Sequence, residues 1–168
     1  MSAATASFAS ELDDLQSRSL REILSTSRLL SLATVSPDGE AHINTAFFAF
    51  SADFAIYLLS PTTSEHATHA GLNPSAAVAV FDSHQTRERR RGVQLFGRLE
   101  EVAPGDGDAV LACFRSRFPD VAGENETYDD VVLTHGSALY AFHPERVKLF
   151  DEALLIADAY VEIPSAVG

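Results

Sequence analysis

Five of the twelve basic side chains stand between residues 87 and 98, as Arg87, Arg89, Arg90, Arg91 and Arg98, with Glu88 the one opposing charge there. Guanidinium is a planar donor fork that matches phosphate or carboxylate oxygens, so an acidic chain that gathers arginine in one place offers an anion site. A solvated loop is the plainer use of the same residues. A second group is Ser60-Pro61-Thr62-Thr63-Ser64-Glu65-His66, with four hydroxyls in five positions at the start of an expected helix. Hydroxyls and backbone N–H groups at a helix start suit an anion, although Ser and Thr also cap helices everywhere. His66 and His69 share one face of that helix; zinc would need a third ligand, with Glu65 or Asp82 as weak candidates. His135-Gly136-Ser137 sets two catalytic residue types side by side, a spacing at which they rarely face one another. Cys113 beside Phe114 reads as core.

These residues need a scaffold, and the alternation of apolar positions describes one. Residues 11–27 approximate a helical period, with Ser10 as the expected cap. Residues 29–35 and 41–50 read as strands joined by Ser36-Pro37-Asp38-Gly39, strong turn chemistry that makes them a hairpin. Further strands are expected at 54–59, 76–81 (buried on both faces), 92–102, 137–142 and 147–150, with another drawn from 153–163. Short helices are expected at 61–72 and 109–118, and 119–130 reads as a polar loop. Close-spaced antiparallel strands with few helices indicate a barrel or sandwich, not a doubly wound sheet. We expect an N-terminal helix (1–27) packed on a barrel domain (28–163), then a tail (164–168).

Bulk properties narrow the function. The chain has 168 residues and a net charge of −12, which disfavours nucleic acid because neutralising a polyphosphate takes a basic face. No apolar run reaches membrane-span length, and residues 1–10 do not read as a secretory signal. One cysteine fits a reducing compartment, so a cytoplasmic location is expected. Glycine-rich nucleotide loops and a nucleophile elbow are absent from the sequence.

The order of the pieces resembles a known family. Leu32-Ala33-Thr34-Val35, Asp38-Gly39-Glu40 and Asn44-Thr45-Ala46-Phe47-Phe48 resemble the opening hairpin of the pyridoxamine-phosphate-oxidase-like split barrels. The likeness continues through Ile56-Tyr57-Leu58-Leu59-Ser60, Ser64-Glu65-His66, Asn73-Pro74 before Ala77-Val78-Ala79-Val80, and Arg91-Gly92-Val93-Gln94-Leu95-Phe96-Gly97. It ends with Phe114-Arg115-Ser116-Arg117-Phe118-Pro119 and covers about residues 28–150. The resemblance implies a mainly β chain with flanking helices, a six-stranded antiparallel split β-barrel. It also implies a homodimer binding FMN between subunits, with deazaflavin or haem in other branches.

By position, the resemblance sets Asn44, Thr45, Ala46 and Phe47 along the isoalloxazine. Ser60, Thr62, Ser64 and His66 fall around the ribityl phosphate, and Gln94 faces the ring. Residues 60–73 carry no Lys or Arg where many flavin-binding members have one. Charge there falls to imidazole, hydroxyls, backbone or an arginine from 89–91, Arg91 first. The expected activity is flavin-mediated redox of a small molecule, with no side chain assigned as acid or base. The alternative is a non-enzymatic dimeric module for haem or another flat anion, using His66 and His69.

Overall fold

The computed structural model describes residues 8–86, 90–120, 126–153 and 160–163. Arg87 and Arg89, most of the stretch 153–163 and the 164–168 tail therefore lie outside the described residues. Helix α1 (Asp14–Thr26) starts not at Ser10 but at Asp13, whose carboxylate accepts from the Gln16 N–H while the Gln16 side chain accepts from the Asp13 N–H. That reciprocal bond satisfies two helix-end donors, and Ser10 instead lies in a preceding helical turn at 8–10. Leu20, Ile23 and Leu24 of α1 are buried in the barrel core, each worth about 2 kcal/mol as apolar surface removed from water.

The strands are β1 (Leu29–Val35), β2 (Ala41–Phe47), β3 (Ala49–Phe50), β4 (Ile56–Pro61), β5 (Ser75–Phe81), β6 (Arg91–Glu101), β7 (Ser137–Asp151) and β8 (Val161–Ile163). They form one antiparallel sheet in the order β2-β1-β5-β6-β7-β4-β3, with β8 on β7, curled into a half-barrel. The expectation of an antiparallel split barrel holds; the described strands number eight rather than six. One addition is the break at Phe48, fully buried, which sends β3 away from β1 to pair with β4. Among the described residues β2 then ends the sheet with one edge unpaired and comes close to β4, and this gap is the split.

Three further departures have local causes. The two expected closing strands are one, β7, which passes through Pro144 because β7 carries an extra residue, Glu145, as a bulge between the Phe96–Arg146 and Gly97–Pro144 pairs. Proline donates no ladder hydrogen bond, and a bulge is where a sheet tolerates it. β5 buries only Ala76, Val78 and Val80, leaving Phe81 exposed; its alanines hid the alternation. Part of the expected loop is helical, and the helices after α1 are α2 (Glu65–Leu72), α3 (Gly107–Arg117) and α4 (Tyr128–His135). Thr127 and Asp130 form a capping box at the start of α4, and Gly136 ends it with φ +58°, a conformation glycine adopts without strain. A second apolar cluster, with Leu111, Phe114, Tyr128, Val131 and Leu139, holds α3 and α4 to the outside of β7.

Candidate functional site: a histidine and hydroxyl cluster at the split

The turn Ser36-Pro37-Asp38-Gly39 sets the β1–β2 register, and Gly39 adopts φ +90° within it. Val35 thus faces Ala41, and Thr34 faces His42. Cross-strand partners share a face, so Thr34, His42, Asn44 and Ala46 all point to the concave side. Helix α2 closes over that side. Its N-cap residue, Ser64, makes no capping bond with its side chain. The Ser64 hydroxyl instead lies 3.1 Å from His66 Nε2 and 3.3 Å from Ser60 Oγ.

His66 is the centre of the group. Its Nε2 is 2.7 Å from Ser60 Oγ, and both residues are buried. Burial, followed by the neighbouring His42 and His69, pushes the His66 imidazole below its ordinary value and keeps the ring neutral at pH 7. His42 stacks on His66 with ring centroids 6.3 Å apart and meets His69 edge-on at 5.6 Å. His69 Nδ1 is 3.2 Å from Thr34 Oγ1, and His42 Nδ1 is 2.8 Å from the exposed Glu65 carboxylate. Three imidazoles, three hydroxyls and one carboxylate therefore meet beside the outer edge of β2.

The structure distributes the sequence-derived candidates over four places. Ser60, Ser64 and His66 come together, with Asn44 and Ala46 on the same concave face. Thr62 stands at the rim, where its N–H and hydroxyl both donate to the Gly136 carbonyl at 3.1 and 3.3 Å. Thr45 and Phe47 point to the opposite, convex face, as does Gln94. The register runs from Thr45 through Ser31 and Ala79 to Gln94, one row across four strands. Phe47 packs edgewise on Phe118 with centroids 5.4 Å apart.

Arg91 is elsewhere. It pairs in the ladder with Asp151, at the far end of β7 from Ala138, the partner of Ser60. Its Nε donates to Asp151 Oδ2 at 2.9 Å, and its terminal nitrogens reach both Glu22 oxygens at 2.8 Å. Arg90 is held by Glu152 and Arg98 by Glu100. The described part of the arginine run thus neutralises carboxylates of this chain and ties β6 to α1 and β7.

The remaining sequence candidates do not assemble. Ser137 donates to the His135 backbone carbonyl while the His135 ring faces Glu126 at 3.6 Å, so no serine–histidine dyad forms there. Cys113 is half-buried, its thiol pushed up by burial, and it donates weakly to the Phe50 carbonyl. Among the described residues no group of three or more His, Cys, Asp or Glu is arranged to hold a metal ion. Sequence reasoning missed His42. The signal was available: the hairpin turn fixes its register opposite Thr34, on the face that α2 covers.

The donor set fits a phosphoryl group. It supplies two hydroxyls, a buried imidazole and the N-terminus of α2, whose N–H groups receive no capping bond from the Ser64 side chain. Comparison with known proteins agrees with the fold around it. The UPF0306 protein YhbP of Salmonella paratyphi A is 33% identical over 87 residues, 51% of this chain and 59% of that protein. The match spans under two thirds of the length of the curated relatives first found.

Among solved structures, the conserved hypothetical protein Rv2991 of Mycobacterium tuberculosis superposes with a TM-score of 0.70 at 18% identity, over 94% of this chain and 95% of that one. HutZ, the haem storage protein of Vibrio cholerae, gives 0.61 at 20% identity over 75% and 87%. A FAD-binding protein of Mesorhizobium loti gives 0.59 at 21% identity over 81% and 92%. At these identities the likeness is one of fold. The family profile described as pyridoxamine 5'-phosphate oxidase matches residues 17–150, from α1 to the end of β7. With the split antiparallel sheet and the match running through nearly all its strands, the chain belongs to the pyridoxamine 5'-phosphate oxidase family.

Proposed function

We propose that the chain binds FMN at the split and acts as a flavin-dependent oxidoreductase on a small molecule. The observation that carries this reading is the Ser60, Ser64 and His66 cluster beside the free edge of β2, in a chain of this family. Bound flavin would supply hydride or electron transfer, chemistry that amino-acid side chains do not provide. Ser60, Ser64 and His66 hold the phosphate, and Asn44 and Ala46 line the edge along which the ring lies. The unpaired backbone groups of β2 offer donors and acceptors to that ring. No side chain is assigned as acid or base.

The test is a fluorescence titration with FMN and riboflavin in parallel. FMN binds at micromolar concentration, and riboflavin, lacking the phosphate, binds at least about tenfold more weakly. Equal affinity for the two removes the phosphate role of the cluster, and no binding of either removes the flavin reading. A haem reading is favoured by one observation, the proximity of three imidazoles. A Soret shift on adding haem, lost in His66→Ala, would support it over FMN.

The proposed assembly is a homodimer. Its support is the convex face of β1, β2 and β5, where Leu29, Val35, Ile43, Phe47 and Phe81 are exposed, Ile43 at 71%. Apolar side chains concentrated on one sheet face mark a surface that another chain covers. Light scattering is expected to give twice the chain mass for the unaltered protein and the single-chain mass for Ile43→Asp. A monomeric unaltered protein contradicts the assembly.

A further inference from the structure

The cluster at the split meets a phosphate with no permanent cation on its own segment. Residues 60–73 contain no Lys or Arg. Among the described arginines of the 87–98 run, Arg90, Arg91 and Arg98 are each paired with a carboxylate. The net charge of −12 adds a potential that repels anions. What the cluster does have is three imidazoles, with His42 lying against both His66 and His69. Imidazole is the side chain that gains positive charge near neutral pH.

We propose that His42, His66 and His69, with the hydroxyls of Ser60 and Ser64, form a proton-coupled oxyanion cradle that takes up a proton as it takes up a phosphoryl group. This deepens the phosphate placement proposed above and rests on it. The hydrogen bonds give the coupling a geometry. With His66 neutral and its proton on Nδ1, Nε2 accepts from the Ser60 and Ser64 hydroxyls and occupies their protons. Once Nε2 is protonated it donates to those oxygens, and the hydroxyl protons are free to turn toward an incoming oxyanion. One proton thus adds a positive charge and converts two hydroxyls into available donors.

The groups around α2 decide the sign. From β2 the cluster is faced by His42, and α2 itself contributes Glu65 and His69. β1 presents Thr34, which does not titrate, and the Asp38 carboxyl of the following turn is lowered chiefly by the Ser36 hydroxyl, with a minor contribution from His69. Glu100 and Glu101 of β6, with Tyr140 of β7, line a groove on the other side of α2 near Ala67 and Ala70. Without an anion, burial and the adjacent imidazoles hold His66 below its ordinary value. The free protein therefore loses stability as pH falls below about 6.5 and the unfolded chain binds the proton more readily. An anion reverses this by favouring the charged ring, so affinity rises as pH falls. Glu65 competes for the same charge through His42, and its carboxylate is 74% exposed and free to swing away.

Sulfate is the probe, because unlike a phosphate monoester it does not titrate in this range. Imidazole resonances of the full chain are followed by NMR against pH, with and without sulfate, and affinity is measured at about pH 6 and pH 7.5. The expected result is an upward shift of the His66 midpoint by about one unit with sulfate, and roughly tenfold weaker binding at the higher pH. Glu65→Gln strengthens binding, and His66→Asn, which keeps a hydrogen-bonding side chain, abolishes its pH dependence. Histidine midpoints that do not move with sulfate overturn the inference, and so does affinity independent of pH. FMN is run beside sulfate. Sulfate coupling without FMN binding leaves the cradle standing and removes the flavin reading, whereas FMN binding without proton uptake does the opposite. Failure of both anions to bind removes both.

Discussion

Replacing Asp151 with alanine lowers folding stability by about 3 kcal/mol, seen as a drop in the urea midpoint, with anion binding at the proposed site unaffected. Asp151 is 2% exposed and accepts from Arg91 Nε at 2.9 Å, from the buried Ser19 hydroxyl at 2.6 Å and from the Ala153 N–H at 3.2 Å. Removing it strands a buried hydroxyl and one side of a guanidinium. Deleting one partner of a buried pair costs about 3–5 kcal/mol, and the lower end applies because Arg91 keeps Glu22. Asp151→Asn retains an acceptor for Ser19 and loses less. The same geometry separates structure from binding: Arg91→Ala destabilises the chain and leaves FMN affinity unchanged within about twofold. A tenfold loss of FMN affinity in Arg91→Ala would instead return Arg91 to the phosphate.

Gly97→Ala is expected to lower stability by about 3 kcal/mol, since overpacking a filled interior costs about 1–3 kcal/mol and this collision is with backbone. A Cβ at that position would lie 2.0 Å from the His143 carbonyl oxygen and 3.0 Å from Pro144 Cα. Neither can rotate away as a side-chain tip would. The bulge must open, and with it the longest pairing of the sheet, which joins the two halves of the barrel through β7. Faster amide exchange at Leu95 and Leu99 in the variant checks the location, because both are buried on β6. Unchanged stability would mean that β6 and β7 are not in this register. Gly92 provides a contrast: a Cβ there meets its neighbours at 3.1 Å, a contact that small shifts can relieve.

The short apolar run from Leu29 to Val35 made β1 legible, and the Pro-Asp-Gly turn made its hairpin legible, because both are local signals. The break at Phe48 was not, since the residue belongs by type in either neighbouring strand; only the closing of the core around its ring decides it. Helix α4 was legible in principle from Thr127, Asp130 and Gly136, but an acidic, polar stretch before it masked the capping box.

For the site, the hydroxyls and His66 were visible as a run along the chain. His42 was not, because its role depends on a hairpin register that carries it under a helix more than twenty residues later. Arg91 shows the reverse failure. Its neighbours in sequence suggested a free cation, while Glu22 and Asp151, which engage it, are remote in the chain. Charge runs report composition, and pairing is settled by the fold.

The proposed flavin phosphate site at the split of this sheet is built from Ser60, Ser64 and His66. The most direct measurement is the amount of FMN retained per chain after saturation and equilibrium dialysis against micromolar FMN. One flavin per chain is expected, reduced severalfold in a Ser60→Ala, His66→Asn double variant that remains folded by circular dichroism. Retention near zero in the unaltered protein contradicts it, as does full retention in the double variant.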